Sequence, residues 1–285
     1  MAQRVEAPPL LAAPRSLASR LRERLGGVLL APVYRVYTGR LRREVRRAAV
    51  PHHLAVILDG NRRWATRAGL TSVGEGHRRG ADKIDELLEW CSDLGIREVT
   101  LWALSDENLA RPGAELAALL DVVAEKLDEL TARAGRTTRS MRIRVFGRFD
   151  GLPERLRSVI ERAEAATAGN EGLRLNIALG YSGRGELVDA CRSMVRHFAA
   201  QGVAAEEMAD RVTGEALAAH LYTAGRPDPD LIIRTSGELR LSGFLPWQSA
   251  HSEFYFTDVY WPAFRELDFL RALRTFQQRE RRFGR

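Results

Sequence analysis

Leu54-Ala55-Val56-Ile57-Leu58-Asp59-Gly60-Asn61-Arg62-Arg63-Trp64-Ala65 is the stretch on which the reading of this chain turns. Five consecutive apolar residues, two of them β-branched, predict a short buried strand. The run ends on an acid, a glycine and an asparagine, which predicts a turn. Two arginines and a tryptophan follow at once. In an open α/β sheet, ligands sit in the crevice beyond the carboxyl ends of the strands. A carboxylate there is placed to hold a metal. The N–H groups of a Gly-Asn turn, beside two guanidinium groups, are placed to hold phosphate.

Outward from this stretch, apolar runs alternate with helical patterns. A polar turn over Gly69–Gly76 precedes a helix from about His77 to Leu94, with Ile84, Leu87, Leu88 and Cys91 at the spacing of one buried face. Further strands are predicted at 98–104, 141–146, 173–179 and 231–233, with a sixth at 254–256. Helices are predicted over 112–133, 153–168, 186–200 and 262–282, with two short ones within 204–221. Parallel neighbours need crossover helices, so this alternation predicts a single α/β domain with a mainly parallel six-stranded sheet flanked by helices.

Charge divides the chain. Residues 1–50 carry 11 arginines and 3 glutamates, while the rest has 33 basic and 34 acidic residues. The chain thus reads as a basic N-terminal arm, 1–50, ahead of a catalytic domain, 51–285. Within the arm, Val33, Val36, Tyr37, Leu41 and Val45 could line one helix face. Such a helix either lies on an anionic membrane surface or packs on the body with its arginines in solvent. Two isolated cysteines, Cys91 and Cys191, and the lack of any apolar run long enough to span a bilayer predict a cytoplasmic protein whose membrane contact, through the arm, is confined to the surface. Aromatic residues are not interleaved with the arm's arginines, which argues against nucleic-acid binding.

Polar turns follow the first, second, fourth and fifth strands, and parallel strands end on one side, so these turns converge. One cluster holds Asp59, Asn61, Arg62, Arg63, His77, Ser105, Glu107, Asn108 and Arg111. A second, Arg234-Thr235-Ser236-Gly237-Glu238-Leu239-Arg240-Leu241-Ser242, combines arginines, hydroxyls and a glycine, a composition suited to diphosphate. Glu107, Glu238 and Glu253 are all candidate partners for Asp59 around a hard cation. Gly180-Tyr181-Ser182-Gly183-Arg184-Gly185 follows a strand, but its glycine order is wrong for a dinucleotide loop. Gly74 to Gly80 is glycine-rich with no strand before it, and no P-loop motif occurs.

Asp59–Ala65, Gly76-His77, Ser105–Asn108 with Arg111-Pro112, Asn176–Gly183, Pro227–Glu238 and Trp247–Thr257 together resemble the cis-prenyltransferases, the undecaprenyl diphosphate synthase family. The resemblance runs from about residue 50 to the C-terminus. It implies condensation of isopentenyl diphosphate with an allylic diphosphate such as geranyl or farnesyl diphosphate, giving a Z-configured product, with Mg²⁺ as cofactor. It implies Asp59 and Glu253 as metal ligands, and Asp59 and Asn108 as catalytic residues. Gly60, Asn61, Arg62, Arg63, Trp64 and His77 are the implied cradle of the allylic diphosphate. Ser105, Asp106, Glu107 and Arg111 are further implied substrate contacts. Arg234, Arg240, Leu241 and Ser242 are implied to hold isopentenyl diphosphate. An apolar tunnel for the tail is expected to use Leu101, Ala103, Leu119 and Val123. A homodimer through the C-terminal region is also implied.

Some positions depart from the family pattern. Leu109 stands where many members have tryptophan, Leu239 where histidine is frequent and His251 where tyrosine is frequent. Leu109 and the arm motif Pro32–Tyr37 look more like the actinobacterial branch that makes (2Z,6E)-farnesyl diphosphate. Ala103 leaves room for a longer product, so both lengths stay open. Two other classes fit the residues less well. A non-catalytic partner subunit would tend to lack Asp59, and an aspartyl phosphatase of the dehalogenase type usually has Asp-x-Asp, where this chain has Asn61.

Overall fold

Six strands hydrogen-bond in the order β3-β4-β2-β1-β5-β6, and every neighbouring pair is parallel. The computed structural model describes residues 32–70, 72–110, 113–134 and 140–279. The strands are β1 (His53–Ile57), β2 (Glu98–Ser105), β3 (Met141–Phe146), β4 (Leu173–Tyr181), β5 (Leu231–Arg234) and β6 (Glu253–Phe256). The helices are α1 (through residues 32–45), α2 (Asn61–Arg67), α3 (Val73–Leu94), α4 (Gly113–Ala134), α5 (Glu154–Thr167), α6 (Gly183–Ala200), α7 (Ala205–Arg211), α8 (Gly214–Ala218) and α9 (Glu266–Gln278). A sheet of this kind is covered on both faces, so its central strands read as unbroken apolar runs. All five residues of β1 are buried.

One face of the sheet packs on α3, α4, α5 and α9 through a large core that includes Val56, Leu87, Leu101, Leu127, Ile160 and Phe269. The other face carries a smaller aromatic core in which Trp102 stacks on Phe244 at 5.1 Å and meets Tyr181 edge-on. The chain builds β1, then β2, β3 and β4 on one side, and crosses back to lay β5 on the other side of β1. This reversal of direction opens a crevice at the carboxyl ends of β1, β2 and β5. Ile57 is level with both Trp102 and Arg234, so the residues after these three strands meet there.

Three boundaries differ from expectation. Residues 73–76, expected in a turn, belong to α3, which starts after Ser72, whose hydroxyl accepts from the Gly74 N–H at 3.2 Å. The closing helix begins at Glu266, after a 3-10 turn at Trp261–Ala263 that holds Pro262. The part of the arm that is described packs on the body. Leu41 and Val45 are buried, Arg42 Nε donates to Glu266 Oε1 at 2.6 Å, and Gln277 donates to the Val45 carbonyl at 2.9 Å. Val33 and Val36, on the expected apolar face, stay 63% and 71% exposed. Residues 1–31 lie outside the described residues. Both cysteines are free, and among the described residues no helix is long and apolar enough to cross a membrane.

Candidate active site

Asp59 leaves β1 at the crevice and is held on both carboxylate oxygens. Arg63 Nη2 donates to Oδ1 at 3.1 Å and Arg234 Nη2 to Oδ2 at 3.0 Å. The backbone is fixed as firmly: Thr235 Oγ1 donates to the Asp59 carbonyl at 2.7 Å and accepts from the Asp59 N–H at 3.1 Å. Burial works against ionisation of Asp59. Hydrogen bonds from Arg234 and Ser236, with the charges of Arg63 and Arg234, outweigh it and hold the carboxyl below its ordinary range.

Gly60 makes the turn possible. Its φ is +103°, and a Cβ there would lie 2.8 Å from Tyr260 Cδ1. Asn61 then opens α2, whose first turn puts Arg62 and Arg63 on the crevice. Helix α2 sits unusually close to α3 because Gly76 and Gly80 face it. A Cβ on Gly76 would meet the Asn61 carbonyl at 2.5 Å, and one on Gly80 would collide with Asn61 Oδ1. Gly76 and Gly80 therefore serve helix packing. Trp261, fully buried, donates to the Gly80 carbonyl at 2.7 Å and closes the back of this corner.

The loop after β5 supplies the other side. Arg234 is buried, and its Nη1 donates to Ser242 Oγ at 2.9 Å and to the Arg240 carbonyl. Its Nε has no partner among the described residues. Ser236 and Ser242 adopt left-handed backbone, φ +82° and +52°, a cost that tends to persist where surrounding structure enforces it. Glu238 bridges Arg63 at 3.2 Å and Arg240 at 2.7 Å, so it orders two arginines.

A cavity of about 830 Å³ runs from this polar mouth into the molecule. Its mouth carries Asp59, Gly60, Asn61, Arg62, Arg63, His77, Ser105, Glu107, Asn108, Arg234 and Ser242. Its interior is lined by Ile84 of α3, Ala103 and Leu104 of β2, Ile177 of β4, and a stripe of α4 from Leu119 to Leu130. Arginines at one end and hydrocarbon at the other fit an amphiphile with an anionic head.

Most of the residues singled out from sequence thus share one cavity, but not all. Trp64 is half-buried and Asp106 accepts from the Glu107 N–H at 2.8 Å, and neither lines the wall. Arg240, 67% exposed at its side chain, and Leu241, packed into the aromatic core, stand behind Arg234. Leu101 is in the packed core, while Ala103, Leu119 and Val123 do line the chamber. Arg111 lies outside the described residues. Glu253 lies apart from the cavity. It starts β6, level with Leu231, whereas Asp59 lies beyond the level of Arg234 and Phe256. That separates the two by about 10 Å along the strands alone, and β6 lies two strands from β1. Glu253 pairs with Arg279, so within one chain it is not brought to Asp59.

Sequence reasoning missed Tyr260 and Trp261, which line the mouth, and Lys126 on the α4 stripe. For the lysine a signal existed: it is a cation inside an apolar i, i+3, i+4 pattern. Arg63 lies over the Tyr260 ring at 5.6 Å, a contact no spacing announces.

The fold and the site define an α/β protein built to hold diphosphate beside an apolar chamber. The family model described as "Putative undecaprenyl diphosphate synthase" matches residues 57–284, and the chain belongs to this cis-prenyltransferase family. It is 53% identical over 258 residues to a (2Z,6E)-farnesyl diphosphate synthase of Thermobifida fusca, covering 90% of this chain and 99% of that protein. It is 50% identical over 257 residues to an isoprenyl transferase of Thermus thermophilus, covering 90% and 97%. Among solved structures it is similar to lavandulyl diphosphate synthase from Lavandula x intermedia in complex with dimethylallyl diphosphate, with TM-score 0.77, 34% identity, and coverage of 83% and 99%. The chain is an enzyme of the prenyl-transferring class.

Proposed function

We propose that this enzyme condenses isopentenyl diphosphate with an allylic diphosphate, geranyl or farnesyl, to give a short Z-configured prenyl diphosphate. The observation that carries this reading is a single cavity with an arginine-lined mouth and a hydrocarbon interior. Arg62, Arg63 and the first turn of α2 hold the allylic diphosphate. Arg234 and Ser242, both on the cavity wall and hydrogen-bonded to each other, hold isopentenyl diphosphate beside it. Asp59 is the residue that would hold Mg²⁺, with diphosphate oxygens and water completing a shell that suits this hard cation. Bound there, Mg²⁺ would neutralise charge on the departing diphosphate.

Breaking the allylic C–O bond moves its electron pair onto diphosphate, and the guanidinium groups stabilise that charge most in the transition state. The isopentenyl double bond attacks the allylic cation, a C–C bond forms, and the resulting cation gives a proton to an oxygen of the released diphosphate, leaving the new Z alkene. Asn108, at the mouth, orients the isopentenyl end, since an uncharged amide has little basicity. The apolar chamber houses the tail and keeps water from the cation. A phosphatase of the dehalogenase type is disfavoured because position 61, where that chemistry usually has a second aspartate, is Asn61, whose Nδ2 donates to the Leu58 carbonyl at 3.1 Å.

We further propose a cytoplasmic homodimer with residues 1–50 as a basic arm ahead of the catalytic body. Strand β6 is an edge strand whose four residues are all half-exposed, with Phe254 and Phe256 stacked at 6.3 Å, which supports pairing through this region. Exposed Val33 and Val36 among arginines support contact of the arm with an anionic membrane. Light scattering and vesicle flotation test these two points. The activity is tested by incubating purified protein with Mg²⁺, radiolabelled isopentenyl diphosphate and a panel of allylic primers. The expected products are Z-configured and vanish with EDTA. No elongation from any primer would overturn the reading.

A further inference from the structure

We propose that Lys126 limits product length: its stem forms part of the chamber wall, and its ammonium is moored to Asp85 of α3, so the growing tail stops against it. The cavity wall on α4 is a helical stripe of Leu119, Val122, Val123, Lys126, Leu127 and Leu130. Five of these are hydrocarbon. The sixth is a lysine only 7% exposed, and lysine is almost never so buried unless paired.

The pairing is specific. Lys126 Nζ lies 3.1 Å from Asp85 Oδ2 across the α3–α4 seam and also contacts Glu129 on its own helix. Asp85 is held from a second side by Arg133 Nη1 at 2.7 Å, and Arg133 reaches Glu89 at 3.5 Å. Two cations of α4 and two acids of α3 thus tie the two helices together beside the chamber. Burial alone would lower the lysine's pKa, but Glu129 and Asp85 outweigh it and hold the pKa above its ordinary value. The group is therefore a fixed cation at any working pH.

Its depth matters. Helix α4 begins just after the 3-10 turn that carries Asn108 and ends where the chain returns to the start of β3, so it runs from the mouth toward the far end of the strands. Lys126 lies about 10 Å below Leu119 along the helix axis and about 6 Å above Leu130. A tail reaching the lower turn must pass the lysine. Hydrocarbon offers no acceptor to replace Asp85, so pushing the lysine aside would break a largely buried ion pair across the α3–α4 seam.

The inference rests on the condensation proposed above, and the two fail separately. Full-length protein is assayed with Mg²⁺, radiolabelled isopentenyl diphosphate and geranyl diphosphate, and products are sized after dephosphorylation. If the wild type elongates nothing, the condensation reading fails. If the wild type makes a short product, Lys126→Ala and Asp85→Ala are each expected to lengthen the main product by one or more isoprene units, still Z-configured. Lys126→Met, which keeps the bulk of the stem without the mooring, serves if the alanine variant does not fold, and the same lengthening is expected of it. Wild-type product length in a folded Lys126 variant, or in Asp85→Ala, would overturn the proposal, as would a long-chain product from the wild type.

Discussion

Arg234→Met removes a guanidinium group while keeping most of the side chain's volume. Arg234 is 5% exposed, lines the cavity, and joins the Asp59 carboxylate at 3.0 Å to Ser242 at 2.9 Å. Loss of one preorganised donor to a developing anion costs about 2.7–4 kcal/mol, roughly 10²- to 10³-fold in kcat. The variant should also move the pH profile. In the wild type Asp59 is ionised below the ordinary carboxylate range, because the Arg234 hydrogen bond heads the contributions that overcome its burial. Without Arg234 the burial remains and the acid limb of kcat/KM shifts to higher pH. The stability effect has a definite sign. A depressed carboxyl pKa stabilises the fold above the unfolded-state pKa, and that contribution is lost as pH falls through the folded-state pKa. The wild type's advantage over Arg234→Met in thermal melts should therefore be full near neutrality and shrink in acid. Steady-state kinetics and melts across pH measure both. A variant with wild-type kcat and an unmoved acid limb would refute the assignment of Arg234 to both Asp59 and the diphosphate.

Gly60→Ala forces an L residue to φ +103° and drives its Cβ to 2.8 Å from Tyr260. About 1–3 kcal/mol of stability should be lost, read as a lower Tm, together with a loss of activity. Glu253→Gln should leave the Mg²⁺ dependence of activity close to wild type, since Glu253 pairs with Arg279 away from Asp59. Asp59→Asn should abolish that dependence along with turnover, and metal titrations of activity compare the two.

The sheet was legible because its strands are short apolar runs that end in polar turns. Met141–Phe146 matches β3 end for end, and the alternation of strands and helices implied parallel pairing. The start of α3 was not legible. Gly74 and Gly76 each cost a helix about 1 kcal/mol relative to alanine, so the segment reads as a turn. Tertiary contact overrides that propensity, because only a glycine at 76 lets α2 and α3 approach. Asp59, Arg63 and Arg234 could be assigned to one site because each follows a strand that ends on the same side. The position of Glu253 was not legible for the complementary reason. It stands inside the motif Trp247–Thr257 but opens β6 rather than closing it, and distance along a strand is invisible until register is known. Lys126 left a signal, a cation in an apolar stripe, that went unread, while its partner Asp85 required the packing of α3 against α4.

The most direct test of the central claim is a rapid-quench single turnover with saturating geranyl diphosphate, radiolabelled isopentenyl diphosphate and Mg²⁺, comparing wild type with Asp59→Ala. The structure predicts one new Z double bond per turnover in the wild type and a rate lower by orders of magnitude in the variant, with isopentenyl diphosphate still bound through Arg234. Bond formation at the wild-type rate in Asp59→Ala would contradict the account.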